Sequence, residues 1–297
     1  MSVDVCAYGY VTREWEVFPD GTSREITAGP PYFLAAALAS LGDRVRVVTR
    51  VSREDEHILD ELRRLGVDVV NLGTMRSMKS RIIYRESGER ELEVLSLARP
   101  FGLQDLDFCI RVSPRYIYLG PLTTQDFDLD FIRRARSRAQ VVLDVQGFTR
   151  KVVGRRVVYV DWVWKLDAAP YVSILKLDDR EGELLTGSRE PEEIVSRLHE
   201  MGFGEVLLTT SWGVYASLRN RHIYRAPYRV RRVVGRTGRG DTATAAYLHA
   251  RLRGWEPARA VVFAAAATSL KLMEVGPLKK SEAEVLRFLE EEYSQGP

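Results

Sequence analysis

The sequence predicts an α/β fold with a mostly parallel central sheet, helices on both faces and a small β lid. From residue 105 onward, short apolar segments alternate with amphipathic helical segments, which is typical of parallel strands joined by helices. Two earlier stretches, 12–27 and 79–97, have the alternating pattern and the turn residues of hairpins instead. Because these hairpins carry little apolar surface, we expect them to form a lid over one edge of the sheet in a single domain spanning 1–297.

The N-terminal third contains the elements that surround the first hairpin. A strand over 3–8 ends at a glycine, a helix is predicted within 28–42, and strands are predicted over 45–49 and 67–72 on either side of a helix over 57–65. The second hairpin turns at Ser87-Gly88. The later predicted elements, in order, are 116–119, 130–137, 141–145, 172–177, 192–201, 206–210 and a hairpin over 215–224.

Composition excludes several function classes. The 297 residues include 44 basic and 41 acidic side chains, a formal charge of +3 that indicates no nucleic-acid partner. The most apolar run, 260–267, is too short to cross a membrane, and the acidic start predicts no secretory signal. Cys6 and Cys109 form no disulfide framework and no metal spacing, so we expect reduced thiols in a cytoplasmic protein. The scarcity of asparagine beside abundant arginine and glutamate favours a thermophilic source.

The glycine-rich stretch before residue 241 is the strongest functional signal. Gly238 and Gly240 flank Arg239, and Asp241 opens a run of small residues with helical character. Glycines allow a sharp turn, and the helix start adds unpaired N–H groups, which together form an anion site. Asp241 has two interpretations: a helix N-cap, or a general base that takes a proton from a hydroxyl while the turn holds the charge on phosphate.

Two further groups of polar residues follow predicted strands. Asp144 lies at the end of the strand over 141–145, and Gln146 and Arg150 follow it. Polar side chains at such a strand end often contact a ligand, although Asp144 alone would also suit a turn cap. Asp178 and Glu181 lie three residues apart at a helix start. That spacing suits a hydrated Mg²⁺, and acidic residues at this position also stabilise the helix dipole.

The stretch Gly-Arg-Thr-Gly-Arg-Gly-Asp-Thr, 235–242, resembles the signature Asp-Thr-x-Gly-x-Gly-Asp of the ribokinase-like carbohydrate kinases, the phosphofructokinase-B (PfkB) family. Gly235 stands where the leading Asp is usual, and Arg239 where a small residue is commoner. The order of the other motifs extends the resemblance over nearly the whole chain and leans toward the inositol-kinase-like members. The absence of a GxxxxGK[ST] loop excludes a P-loop kinase.

The resemblance implies roles for further residues on the acceptor side. Gly29, after Ala28, is similar to one of the paired glycines against which the family's sugar lies, and Glu14 stands where an Asp often grips hydroxyls; a surface charge on the lid is the alternative for Glu14. Phe33 replaces the usual Asn, which argues against a plain ribose or fructose-phosphate acceptor. The Asp144 to Arg150 stretch resembles the family's Asp-x-Asn-x-x-x-Arg, and the pair Asp178 and Glu181 its Asn-x-x-Glu.

On the nucleotide side the resemblance is looser. The segment 207–213 is similar to Thr-x-Gly-x-x-Gly but one residue short, and 264–278 stands where the adenine wall would be. The implied nucleotide contacts are Thr209, Thr210, Ser211, Ser269, Lys271 and Gly276.

The resemblance therefore implies an ATP- and Mg²⁺-dependent kinase that phosphorylates a hydroxyl of a sugar or polyol, with myo-inositol favoured. Asp241 would be the base, and the amides of Gly238, Arg239 and Gly240 would stabilise the transferred group. Two alternatives stay open: a nucleoside kinase in which Tyr32 and Phe33 stack on a base, and a ligand-binding sensor without turnover. The exposed edge of the lid predicts a homodimer through that lid.

Overall fold

The computed structural model describes residues 2–87, 90–219 and 222–293, and these form two sheets with helices packed around the larger one. Numbered in chain order, the strands are β1 Val5–Gly9, β2 Thr12–Val17, β3 Ser23–Ala28, β4 Val45–Thr49, β5 Asp68–Asn71, β6 Lys79–Tyr84, β7 Arg90–Ser96, β8 Tyr116–Gly120, β9 Gln140–Asp144, β10 Arg150–Val153, β11 Arg156–Tyr159, β12 Ile174–Asp178, β13 Glu205–Thr209, β14 Gly213–Leu218 and β15 Ile223–Pro227. The α-helices are α1 Pro30–Ser40, α2 Asp60–Arg64, α3 Asp107–Ile110, α4 Leu129–Arg136, α5 Lys165–Ala168, α6 Asp179–Thr186, α7 Pro191–Glu200, α8 Arg239–Leu252, α9 Pro257–Leu272 and α10 Glu282–Tyr293.

The larger sheet has the order β15-β14-β13-β12-β9-β8-β1-β4-β5 in the described chain. The run from β13 to β5 is parallel, and β14 and β15 extend it antiparallel. Helices α1, α8 and α9 pack with one apolar core, and α4 and α7 with another. Because both faces are covered, central strands such as β1 and β8 are buried along their whole length. The predicted α/β class is confirmed.

The second sheet, called the lid below, has the order β10-β11-β7-β6-β2-β3. The two predicted hairpins supply β2 with β3 and β6 with β7. Strands β10 and β11 were not predicted, because they are short and their side chains alternate between half-buried and exposed. Arg150 is therefore the first residue of a lid strand, one turn of 3-10 helix after β9. Strand β3 is an edge of this sheet, and a dimer through it stays a prediction.

Three local expectations need correction or fall outside the described part. The helix predicted over 57–65 is a 3-10 helix, Arg53–Leu59, followed by the single turn of α2. The second hairpin's predicted turn at Ser87-Gly88 lies partly outside the described residues, which resume at Arg90, and so does part of the hairpin predicted over 215–224. The described helices include none that is long and apolar enough to span a membrane.

The expectation of free thiols is wrong. Cys6 in β1 and Cys109 in α3 form a disulfide with a Cα–Cα distance of 5.7 Å across 103 residues of sequence. Both cysteines are fully buried in the same core. A pair so far apart in sequence has no spacing signal, and only the packing of α3 beside the first strands brings the two sulfurs together.

Candidate active site

The glycine turn predicted as an anion site lies at the start of α8. Gly238 is the helix N-cap and has a left-handed backbone with φ of 83°. A Cβ on Gly238 would lie 2.3 Å from Cδ1 of Phe33, and one on Gly240 would lie 2.8 Å from Nζ of Lys176. Since real Cβ contacts are essentially never as short as 2.3 Å and the φ of Gly238 is positive, position 238 requires glycine, whereas a side chain at 240 would first have to displace the Lys176 ammonium.

The amides available at this turn differ in part from those predicted. The backbone N–H of Arg239 donates to the carbonyl of Arg236 at 3.2 Å, so it is engaged within the turn. The next positions, Gly240 and Asp241, belong to the first helical turn, whose amides have no acceptor inside an α-helix. The helix start therefore offers the amides of residues 240 and 241, with the positive end of the helix dipole, to an anion.

Asp241 is the third residue of α8 and makes no capping bond. The N-cap interpretation of Asp241 is therefore wrong, because Gly238 occupies that position. Its Oδ1 accepts one long hydrogen bond, 3.5 Å, from the hydroxyl of Tyr118. Burial raises the pKa of Asp241 from 3.8 to about 7, and the charge of Lys176 opposes this rise while that of Asp144 adds to it. A carboxylate with a pKa this high is suited to accept a proton near neutral pH.

A buried ion pair lies beside Asp241. Lys176 Nζ donates to Asp144 Oδ2 at 2.8 Å, and the Tyr118 hydroxyl lies 3.4 Å from the same oxygen. Asp144 also caps the 3-10 turn through the amide of Gln146 at 3.0 Å, as its alternative interpretation predicted. The side chain of Gln146 reaches only the Pro121 carbonyl, at 3.5 Å. Nearby carboxylates raise the pKa of Lys176 above its usual range although burial alone would lower it, so this lysine is a permanent cation below the glycine turn.

Asp178 and Glu181 form a reciprocal capping box at the start of α6. Asp178 Oδ1 accepts from the amide of Glu181, and Glu181 Oε2 accepts from the amide of Asp178, both at 2.8 Å. The second oxygen of Glu181 lies 3.8 Å from Arg150 Nη2. Burial, with the charge of Asp178, raises the pKa of Glu181 to about 8. Asp178 and Glu181 therefore do cap the helix start. The other carboxylate oxygen of Glu181, Oε1, has only the distant Arg150 guanidinium as a partner among the described residues.

This donor set suits Mg²⁺ only as a partly hydrated ion. The described residues contain no group of three or more potential metal-binding side chains. Two carboxylates at one helix start, completed by phosphate oxygens and waters, match the coordination that Mg²⁺ takes in phosphoryl-transfer sites. A cation there would also relieve the unfavourable burial of the Glu181 charge.

On the acceptor side, the lid contributes a second buried carboxylate. Glu14 is 8% exposed, and its Oε2 accepts from Ser80 at 2.9 Å. Its other oxygen is buried without a partner. Burial raises the pKa of Glu14, and Arg150 opposes that rise. Arg150 is half-buried, and its Nε is a buried atom with no partner in the described part of the chain. The free oxygen of Glu14 can accept a hydrogen bond and the Nε of Arg150 can donate one, which suits the hydroxyls of a polar ligand.

Two other predicted acceptor contacts form part of the framework. Gly29 has φ of 103°, and a Cβ there would lie 2.0 Å from the Tyr10 carbonyl oxygen, so close approach of two backbones demands glycine. Phe33 is buried in the core beneath Gly238. Its ring supports the turn from below.

Most of the predicted nucleotide contacts use their polar atoms within the fold. The Thr210 hydroxyl accepts from the amides of Trp212 and Gly213 and thereby builds the β13–β14 turn. The Ser269 hydroxyl donates to Ala265 and accepts from the Arg229 amide. Lys271 Nζ donates to the Gly235 carbonyl at 3.0 Å, and burial lowers the pKa of Lys271 to about 8.

The remaining three nucleotide positions differ in exposure. Thr209 is buried at the end of β13, near Gly240, whereas Ser211 is exposed. Gly276 lies between α9 and α10 with φ of 87°.

Comparison with known proteins agrees with this geometry. The family model described as pfkB family carbohydrate kinase matches residues 4–283. The chain belongs to the pfkB family of carbohydrate kinases. It is accordingly a phosphotransferase that acts on hydroxyl groups of sugars or polyols. A search of curated proteins found no match.

The solved structures similar to this pfkB kinase include two that are described as pyrophosphate-dependent kinases. One is a pyrophosphate-dependent kinase of the ribokinase family complexed with a pyrophosphate analogue and myo-inositol, with 32% identity, a TM-score of 0.87 and coverage of 95% of this chain and 99% of that one. Another is a pyrophosphate-dependent myo-inositol-1 kinase converted into a myo-inositol-3 kinase by two substitutions, with 31% identity, a TM-score of 0.87 and coverage of 97% and 98%. The Arabidopsis thaliana ribokinase with ribose and ATP shares the fold at 20% identity, a TM-score of 0.76 and coverage of 97% and 99%.

Sequence analysis placed Lys176 at the ligand-binding edge of the sheet without giving it a role, and it did not single out Tyr118. Tyr118 lies within the buried strand Tyr-Ile-Tyr-Leu-Gly, and Lys176 within Ile-Leu-Lys-Leu-Asp. A lysine inside an otherwise apolar central strand was the available signal, because a charge is buried there only with a partner. Tyrosine in a strand carries no such signal.

Proposed function

We propose that this kinase transfers a phosphoryl group to a hydroxyl of a cyclic polyol such as myo-inositol. The observation that carries the proposal is Asp241, a half-buried carboxylate of raised pKa at the start of α8, next to unpaired helix amides. The acceptor class is supported by two of the similar structures, one of a kinase complexed with myo-inositol and one of a myo-inositol kinase. It is also supported by the opposite charges of Glu14 and Arg150, each with an unbonded buried atom that a hydroxyl can satisfy.

In this mechanism Asp241 removes the proton from the acceptor hydroxyl as its oxygen attacks the terminal phosphorus of the donor. The new O–P bond forms as the bridging P–O bond breaks, and the remainder of the donor leaves with the bond's electron pair. The amides of Gly240 and Asp241 and the ammonium of Lys176 stabilise the charge on the transferred group. Glu181 and Asp178 would hold Mg²⁺, and a cation there would supply neutralisation of the donor phosphate charge.

For the donor we propose inorganic pyrophosphate, with ATP, which the sequence motifs imply, as the alternative. Pyrophosphate presents only charge, so cations rather than an apolar wall must recognise it. The segment before the glycine turn carries exposed Arg232 and Arg236, whereas the hydroxyls of Thr210 and Ser269 are already used inside the fold. The kinases in these two similar structures are both named as pyrophosphate-dependent.

A direct test follows product formation by ³¹P NMR with myo-inositol, Mg²⁺ and either pyrophosphate or ATP. We expect an inositol monophosphate, formed faster with pyrophosphate. Faster transfer from ATP would overturn the donor assignment. Failure with myo-inositol but transfer to a nucleoside or another sugar would overturn the acceptor. The nucleoside alternative is disfavoured because Tyr32 bonds Glu61 and Phe33 packs under Gly238, which leaves neither ring open for stacking.

The metal role of Glu181 gives a specific expectation. Glu181→Gln keeps the capping box, since Gln can accept the same amide, but removes the charge that would attract Mg²⁺. We expect the Mg²⁺ concentration for half-maximal turnover to rise about 10–100-fold, the range for groups that support a bound metal. Glu183→Gln is the matched control, because Glu183 lies two residues on and pairs with Arg189 at the surface. An unchanged Mg²⁺ requirement in Glu181→Gln would limit Glu181 to its helix-capping role.

Arg150 gives a second expectation, for acceptor affinity. Arg150→Ala should weaken acceptor binding by about 1.5–3 kcal/mol, the worth of a hydrogen bond to a charged group. Isothermal titration with myo-inositol measures this directly. Lys151→Ala, at the exposed next position of β10, is the control and should bind normally. Normal affinity in Arg150→Ala would remove Arg150 from the acceptor site.

A further inference from the structure

One contact joins the lid directly to the glycine turn. Glu16 in β2 is buried at 4% exposure, and its Oε1 accepts from Thr237 Oγ1 at 3.1 Å. Thr237 is the residue immediately before Gly238. The same oxygen accepts from the hydroxyl of Tyr84 in β6 at 3.2 Å, and Arg24 in β3 pairs with the other oxygen. Three lid strands therefore hold one carboxylate against the residue that opens the phosphate turn.

The turn has separate supports on the side of the larger sheet. Lys271 donates to the Gly235 carbonyl at 3.0 Å, the amide of Val234 donates to the Leu272 carbonyl at 2.8 Å, and Phe33 lies beneath Gly238. These contacts remain when the lid moves, because none of them involves a lid residue. The Glu16–Thr237 bond is different, since it exists only while the lid lies over the turn.

Strand β2 also carries the lid's acceptor-side carboxylate. Its buried positions alternate, so Thr12, Glu14 and Glu16 point to one face of the strand. Glu14 has an unbonded buried oxygen on the side of Arg150, whereas Glu16 contacts the turn. Glu14 and Glu16 are separated by one residue of the same strand, so movement of one carboxylate moves the other.

We propose that Glu16 is a positioning residue that couples lid closure over the acceptor to the geometry of the phosphate turn, through its bond to Thr237. This inference rests on the proposed function of the turn. Binding of donor at the turn and closure of the lid then favour each other. Both favour the arrangement in which Thr237 donates to Glu16, and such coupling between two binding events is reciprocal. Donor phosphate is transferred efficiently only when the lid, with acceptor beneath it, completes the turn.

Hydrogen exchange tests the coupling without requiring turnover. The full-length protein is measured with and without saturating methylenediphosphonate and Mg²⁺. In the wild type we expect slower exchange both in the turn, 235–241, and in the lid strands, 12–17 and 23–28, by about fivefold or more, the lower range of measured couplings. In Thr237→Val, which removes only the hydroxyl, we expect protection of the turn and none in the lid. Thr237→Ser restores the hydroxyl and should restore lid protection.

Arg24→Gln is the control for general disturbance of the lid, because Arg24 bonds the other Glu16 oxygen and leaves the Thr237 contact in place. It should retain the response of the lid. Lid protection that persists in Thr237→Val, or turn protection without lid protection in the wild type, overturns the coupling and leaves the proposed function intact. Absence of turn protection in the wild type contradicts the phosphate site itself and the coupling with it.

Discussion

Replacement of Asp241 by asparagine should lower kcat by about 10²–10⁴-fold, the usual contribution of a positioned general base. This range equals about 3–5 kcal/mol of transition-state stabilisation. Asparagine has nearly the same shape and can accept the Tyr118 hydrogen bond, but it cannot take the acceptor proton. Steady-state turnover with myo-inositol and the better donor measures the loss. Turnover of Asp241→Asn within a few-fold of the wild type would contradict the proposed mechanism.

Stability provides the control for this substitution. The folded-state pKa of Asp241 is raised, so its contribution to stability is present below its ordinary pKa of 3.8 and is lost as pH rises through about 7. Asp241→Asn lacks this titration, and we expect its melting temperature above pH 7 to equal or exceed that of the wild type. Because the base must be ionised, wild-type kcat/KM should fall as pH drops below about 7. A melting temperature well below the wild type would show that Asp241 is chiefly structural.

Replacement of Lys176 by methionine should have the largest effect on stability. The substitution leaves Asp144 as an uncompensated charge beneath the glycine turn, since the 2.8 Å ion pair is buried on both sides. Breaking a buried pair in this way typically costs about 3–5 kcal/mol in the free energy of unfolding. Chemical denaturation measures the cost. Loss of the cation should also raise the pKa of Asp241 further, and the pH profile of any remaining activity should move upward.

A double substitution separates the two effects of Lys176. Lys176→Met with Asp144→Leu removes both charges, and stability should recover in large part because apolar replacements of a buried pair are often neutral or better. Activity should not recover, because the ammonium below the phosphate turn is still missing. Recovery of both stability and activity would show that Lys176 serves only to neutralise Asp144.

The part of the site that could be predicted from sequence is the part encoded locally. The glycine turn and Asp241 follow each other along the chain, and the capping pair Asp178 and Glu181 has a fixed spacing of three. The N-cap alternative for Asp241 failed because the N-cap position falls three residues earlier, at Gly238, whose left-handed backbone cannot be inferred from composition.

The parts that could not be predicted depend on contacts between distant segments. Tyr118 and Asp241 are 123 residues apart in the sequence, and Glu16 and Thr237 are 221 residues apart. No local sequence pattern indicates either contact. Strands β10 and β11 were not predicted for a different reason. They are half-exposed and four residues long, so they owe their structure to the neighbouring β7 and to each other more than to their own residue types.

The disulfide between Cys6 and Cys109 closes a covalent ring that contains β2, β3, β6 and β7, four of the six lid strands. A ring of this length removes about 4.7 kcal/mol of entropy from the unfolded chain in the loop-closure model. A single proteolytic cut in one of these four strands or their turns opens the ring without releasing a fragment. The two pieces of the cut chain stay joined by the buried disulfide, so under denaturing conditions they separate only after the disulfide is reduced.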